Sequence, residues 1–137
     1  MHTQEQVVNA LRIEDTGVPI YVQLREQFLQ AMGEGRLVPG DQMPTMRQVA
    51  VAFRIDLNTV RRAYDELERL GALRLERGRG SFVAEPPAPP DPDTHARAID
   101  EVARQAIGLA RARGVQPLVL AQRIAALAET SKETLDG

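Results

Sequence analysis

The chain has 137 residues, a formal net charge of −2, 43% hydrophobic residues and no cysteine. This length suits one compact domain with a small appendage, and the missing cysteine excludes disulfides, thiol catalysis and cysteine metal sites. No apolar run approaches a membrane span, and the polar start lacks the apolar centre of a signal peptide, so a soluble, cytoplasmic protein is expected.

Residues 1–18 are expected to be an N-terminal arm, polar and mobile over 1–10, with Leu11-Arg12-Ile13 as a short edge strand before the turn Asp15-Thr16-Gly17. Pro19 suits the first turn of a helix. Ile20, Leu24, Phe28, Ala31 and Met32 then recur at helical spacing, which predicts a scaffold helix through about Glu34. Gly33, Gly35 and Pro39-Gly40 stop it.

Thr45 to Gln48 matches a capping box, in which hydroxyl and amide side chain each satisfy the other residue's backbone N–H. The helix it opens turns Val49, Ala50 and Phe53 inward and breaks at Arg54-Ile55. Asp56 suits the N-cap of a further helix, along which Val60, Ala63, Tyr64, Leu67 and Leu70 form one apolar stripe. Gly71 ends it. Two helices joined so tightly must cross steeply. Asn58, Thr59, Arg61, Arg62 and Asp65 are left off the stripe, near the end of the helix that enters the groove in helix-turn-helix proteins. A solvated face is the plainer reading of these residues taken alone.

Leu73-Arg74-Leu75-Glu76 alternates as a half-buried strand should, and Ser81-Phe82-Val83 is its expected partner. Between them Arg77-Gly78-Arg79-Gly80 is a tip built on glycines that tolerate positive φ, flanked by guanidinium groups. A hairpin directly after a helix-turn-helix predicts a winged helix-turn-helix. The region 19–83 also holds ten arginines and no lysine. The planar arginine fork suits phosphates and guanine edges, although a genome rich in arginine codons produces the same bias.

Residues 84–93 form a proline-dense, acidic, extended linker. In 94–137, Ile99, Val102, Ala106 and Leu109 make one apolar stripe and Leu120, Ile124 and Leu127 another, with Gly114 and Pro117 at the turn. A two-helix hairpin this small cannot bury enough surface alone. It needs the winged helix or a second copy, and self-association into a homodimer is favoured. The fold class expected is mainly α with a small β-hairpin wing, followed by a short two-helix dimerisation tail.

Residues 19–83 resemble the DNA-binding domain of the GntR family of bacterial transcription regulators. The resemblance rests on Pro19-Ile20-Tyr21, Gly35-Arg36-Leu37-Val38-Pro39-Gly40-Asp41 and Pro44-Thr45-Met46-Arg47. It continues through Asn58-Thr59-Val60-Arg61-Arg62-Ala63-Tyr64, Leu67-Glu68-Arg69-Leu70-Gly71 and Arg77-Gly78-Arg79-Gly80-Ser81-Phe82-Val83. Leu11-Arg12-Ile13 before Pro19, and Asn58-Thr59-Val60 with Ala63-Tyr64, are most similar to the YtrA-like subfamily. The resemblance implies that Arg47, Asn58, Thr59 and Arg61 face an operator, that Gly78 to Gly80 reach the minor groove or its rim, and that the tail dimerises.

Thr45, Leu57, Arg62, Arg77 and Arg79 complete the candidate DNA surface. Three departures from the family pattern stand out. The glycine usual at the turn is absent, Leu57 replaces a frequent basic residue, and Met46 replaces a frequent glutamate. Leucine packs on a thymine methyl instead of forking to guanine.

The expected partners are a double-stranded operator and a second copy of the chain, and no membrane. Transporter genes among the targets, and repression, are implied by the resemblance alone. Nothing in the sequence requires a cofactor or metal. Only His2 and His95 are histidines, neither spaced as a metal-ligand pair, so no enzyme is expected. Two alternatives stay open: a winged helix that binds an acidic protein, and a sensor holding an unidentified small-molecule effector between tail and winged helix.

Overall fold

The computed structural model describes residues 4–85 and 91–136. It divides into two compact units at Glu85 and Pro86. The first contains α1 (Gln4–Ala10), α2 (Ile20–Gly33), α3 (Met46–Phe53), α4 (Leu57–Arg69), β1 (Leu73–Glu76) and β2 (Gly80–Val83). The second contains α5 (Pro92–Ala112) and α6 (Pro117–Asp136). Most of the chain is helical and the strands form one antiparallel pair, which is a winged helix-turn-helix followed by two helices.

One core organises the first unit. Leu24 and Phe28 of α2, Val49 of α3, and Val60, Ala63 and Leu67 of α4 are almost inaccessible to solvent. Each fully buried Leu, Val or Phe contributes roughly 1.5–3 kcal/mol over leaving it exposed. Phe28 and Tyr64 meet edge to face with ring centroids 5.6 Å apart. The Tyr64 hydroxyl donates to the carbonyl of Pro44, twenty residues earlier. That bond ties the middle of α4 to the chain entering α3.

The helix ends follow their local chemistry. The Thr45 hydroxyl accepts from the Gln48 N–H (3.0 Å), and the Gln48 side chain accepts from the Thr45 N–H (2.7 Å). Asp56 caps α4 by accepting from the Asn58 N–H at 2.8 Å. Between the two helices the chain reverses through Arg54, at φ 53 and ψ 47. A left-handed conformation costs an L-residue roughly 1–2 kcal/mol, which a glycine would avoid. Ile55 packs against the core and supports the turn from below.

The start of the chain departs from expectation. Residues 4–10 are helical, and α1 inserts Val7 and Val8 into the core beside Leu11. Leu11-Arg12-Ile13 lies outside any helix or strand and pairs with no strand among the described residues. Side chains replace the ladder. Gln27 accepts from the Arg12 N–H (2.8 Å) and donates back to the Arg12 carbonyl, while Gln23 accepts from the Glu14 N–H and donates to the Glu14 and Val18 carbonyls, each at 2.9 Å. Two glutamines one helical turn apart thus offer the backbone of Arg12, Glu14 and Val18 both donors and acceptors.

The wing pairs Leu73 with Val83, Arg74 with Phe82, Leu75 with Ser81 and Glu76 with Gly80. Val83 donates to the Asp41 carbonyl and Met43 donates to the Ser81 carbonyl, each at 2.8 Å, so 41–43 flank β2 as a third, strand-like edge. Leu73 is buried whereas Leu75 is 57% exposed, because the outer half of the hairpin extends past the core. The strand alternation expected from the sequence therefore holds at one end only.

In the second unit, Asp91 caps α5 by accepting from the Thr94 N–H at 2.7 Å, and these bonds hold its carboxyl below the usual aspartate range. Pro92 and Asp93 belong to that helix instead of to the linker expected over 84–93. The core of that linker, 86–90, lies outside the described residues, as does His2. α5 and α6 pack on each other.

Candidate nucleic-acid interface

α4 turns its apolar side into the core, which leaves Asn58, Arg61, Arg62, Asp65, Glu66 and Arg69 along a polar groove of about 300 Å³. These positions recur at three and four residues, the opposite face of one helix. The Asn58 side-chain oxygen accepts from Arg61 at 2.6 Å, which fixes an amide and a guanidinium side by side near the start of α4. Such a pair presents both donors and acceptors to base edges. Leu57 is 37% exposed at the first position of the helix, and Thr59 is half-buried.

Arg62 is held differently. Its guanidinium carbon lies 3.8 Å from the ring centroid of Tyr21 at the start of α2. A cation over an aromatic face gains roughly 0.5–1 kcal/mol at an exposed site. The sequence shows both residues, but their contact depends on how α2 crosses α4, which no local pattern encodes.

On α3 the Thr45 hydroxyl is engaged in the capping box, while Arg47 is exposed and has no polar, charged or aromatic partner among the described residues. The wing tip places Arg77, Gly78 and Arg79 in solvent and Gly80 at the start of β2. Gly78 has φ 77 and Gly80 has φ 115. A Cβ on Gly80 would also come 3.1 Å from the Gln42 side-chain nitrogen, so beyond the torsion that favours glycine a larger residue would have to displace that side chain slightly. Gln42 in turn donates to the Arg79 carbonyl at 2.9 Å, bracing the tip from beneath.

Glu76 restrains the wing's charge. Its carboxylate lies 3.1 Å from Arg74 and 2.9 Å from Arg79. Both guanidinium groups also sit over the Phe82 ring, at 5.1 and 5.5 Å from its centroid. Of the three arginines on the hairpin, Arg77 alone is without a partner among the described residues. Sequence reasoning missed Tyr21, Gln42 and Glu76 as supports of this surface. Only Glu76 had a local signal, a carboxylate three residues before Arg79.

The tail residues divide. Ile99, Val102, Leu109, Ile124 and Leu127 are more than half exposed. Ala106 and Leu120 are half-buried, while Ala110, which belongs to neither expected stripe, is buried. Among the described residues no group of three or more His, Asp or Glu side chains is arranged to hold a metal, and no helix is long and apolar enough to cross a membrane.

Known proteins share this arrangement. Residues 20–83 match the family of bacterial regulatory proteins designated gntR. An HTH-type transcriptional regulator of Mycobacterium tuberculosis is 38% identical over 107 residues, covering 77% of this chain and 83% of that protein. The HTH-type transcriptional repressor YtrA of Bacillus subtilis is 39% identical over 70 residues, which are 51% of this chain and 54% of the repressor. The chain thus matches about half the length of that relative. Among solved structures, YtrA from Sulfolobus acidocaldarius, a GntR-family transcription factor, superposes with a TM-score of 0.53 at 26% identity, covering 69% of this chain and 97% of that one. With a matching helix-turn-helix and wing, and a relative aligned over most of both chains, this protein belongs to the GntR family of bacterial transcription regulators.

Proposed function

We propose that the chain is a homodimeric repressor that binds a palindromic operator in the bacterial cytoplasm, at the nucleoid. Asn58, Thr59, Arg61 and Leu57 read base edges in the major groove, with Arg62 beside them. Thr45, which caps α3, and Arg47 within it hold the flanking backbone. Arg77, Gly78, Arg79 and Gly80 reach the adjacent minor groove. The observation that carries the reading is the Asn58–Arg61 pair, fixed at 2.6 Å on the outward face of α4. An amide and a guanidinium so placed match the hydrogen-bonding edges of adenine and guanine.

Repression follows the Bacillus relative, a transcriptional repressor, and transporter genes as targets follow the YtrA-like resemblance. The homodimer is supported by the exposed apolar residues of α5 and α6. A two-fold pair sets two reading helices about 34–36 Å apart and demands an inverted repeat of matching spacing. Selecting bound duplexes from a random pool tests this directly. Inverted half-sites about 10 base pairs apart, centre to centre, are expected. Enrichment of single or directly repeated half-sites would refute the two-fold arrangement.

A further inference from the structure

Arg54 is the one non-glycine residue with positive φ among the described residues. Glycine or asparagine adopts this conformation with less strain, and strained positions persist chiefly where function retains them. The structure gives the Arg54 side chain no internal task. It is exposed and has no hydrogen-bonding, ionic or aromatic partner among the described residues. Asp56, the carboxylate next along the turn, is already accepting from the Asn58 N–H.

Most arginines of the winged helix are otherwise engaged. Arg25, Arg36, Arg74 and Arg79 pair with glutamates, Arg61 with Asn58 and Arg62 with Tyr21. Arg47, Arg54, Arg69 and Arg77 are the ones left without a partner among the described residues. Arg47 and Arg54 stand seven residues apart, about two helical turns or roughly 10 Å along α3. Between them lies Val51, 71% exposed; α3 itself carries no acidic residue, and among the described residues the one carboxylate lining the groove beside Arg47 and Val51 is Glu5 of α1, which forms no ion pair with Arg47. This flank therefore offers two guanidinium groups without partners among the described residues, on a helix with no carboxylate of its own.

We propose that Arg54 is a further DNA-backbone contact, holding a phosphate at the turn between α3 and α4 in line with Arg47. The proposal rests on the DNA-binding reading above. It explains why a residue unsuited to the turn's backbone occupies it.

The test compares Arg54→Gly and Arg54→Lys with the unaltered full chain. Binding to a mixed-sequence duplex of about 30 base pairs is followed by fluorescence anisotropy, with salt varied between about 50 and 200 mM. Relief of strain is expected to raise the Tm of the glycine variant by about 4 °C or more. Its plot of log affinity against log salt is expected to flatten by about 0.9 per bound copy, so that about 3.5-fold less affinity is lost across that range. The lysine variant keeps the charge and is expected to keep the full slope. A glycine variant that is folded and retains the full slope overturns the proposal. So does one whose weaker binding accompanies a lowered Tm. Absence of salt-dependent duplex binding by the unaltered chain is a different result and refutes the DNA-binding reading itself.

Discussion

Tyr64→Phe removes one oxygen from the interior while keeping the ring that meets Phe28 edge to face. The hydroxyl is buried, with the residue 3% exposed, and it donates to the carbonyl of Pro44, itself fully buried. Because no appreciable volume is lost, the cost is that of a buried acceptor deprived of its donor, about 1–3 kcal/mol. At about 4–8 °C per kcal/mol for a unit of this size, Tm falls by at least several degrees at neutral pH. The same hydroxyl should make the difference depend on pH. Burial raises the Tyr64 pKa above its ordinary value, so the folded state keeps a proton that the unfolded chain begins to release near pH 10.

Stability attached to this group is therefore complete below about pH 10 and is lost as pH rises toward the folded-state value. At pH 11 the loss is about 1.4 kcal/mol for an unfolded-state pKa near 10. The phenylalanine variant lacks that titration, so the gap between the two proteins is expected to narrow by this amount between about pH 8 and 11. Thermal denaturation followed by circular dichroism across that range measures it. Equal Tm values at neutral pH, or a gap that stays constant through pH 11, would refute the assigned hydrogen bond and its burial.

Glu76→Gln releases Arg74 and Arg79 from a shared carboxylate. Duplex affinity at low salt is expected to rise, with a salt slope steeper by up to about 1 per bound copy, and because exposed pairs contribute about 0–1 kcal/mol, stability should change little. Anisotropy titrations that show weaker binding would reverse the role given to Glu76. Val102→Asp places a charge on an apolar residue that is 64% exposed on α5. The variant is expected to sediment as a monomer and to bind the selected operator at least tenfold more weakly, by about 1.4 kcal/mol. A variant that remains dimeric would remove Val102 from the interface.

The parts of the fold visible in the sequence were those with a local chemical cause. The Thr45–Gln48 box, the Asp56 cap, the α4 stripe and the glycine-tipped hairpin each depend on residues a few positions apart. The helix at 4–10 carried weaker signals. Val7, Val8 and Leu11 do fall on one helical face, but seven residues are too few for intrinsic propensity to decide, and packing on the core supplies the rest. Leu11-Arg12-Ile13 has a strand-like composition, but of the three only the Arg12 backbone is held across the fold, its N–H and carbonyl both bonded to Gln27. That partner is a side chain of α2, which a pattern of strand pairing does not anticipate.

The candidate interface was legible as a set of residue types and opaque in its couplings. Arg61, Arg62 and the wing arginines could be placed on the helix or on the wing, but their partners could not be named. In the structure Arg61 is joined to an amide, Arg62 lies on an aromatic ring, Arg74 and Arg79 share one carboxylate, and Arg77 is unpaired. Those distinctions come from helix crossing and hairpin register, which are set by the whole unit.

The two glutamines of α2 that fasten residues 12–18 bear on how the protein answers its surroundings. Amides neither titrate nor attract counterions, so this fastening is indifferent to acidity and ionic strength over the range in which a cell operates. A surface built from guanidinium groups is not. Changing the ionic medium can thus loosen the hold on nucleic acid while the frame that aims it keeps its shape.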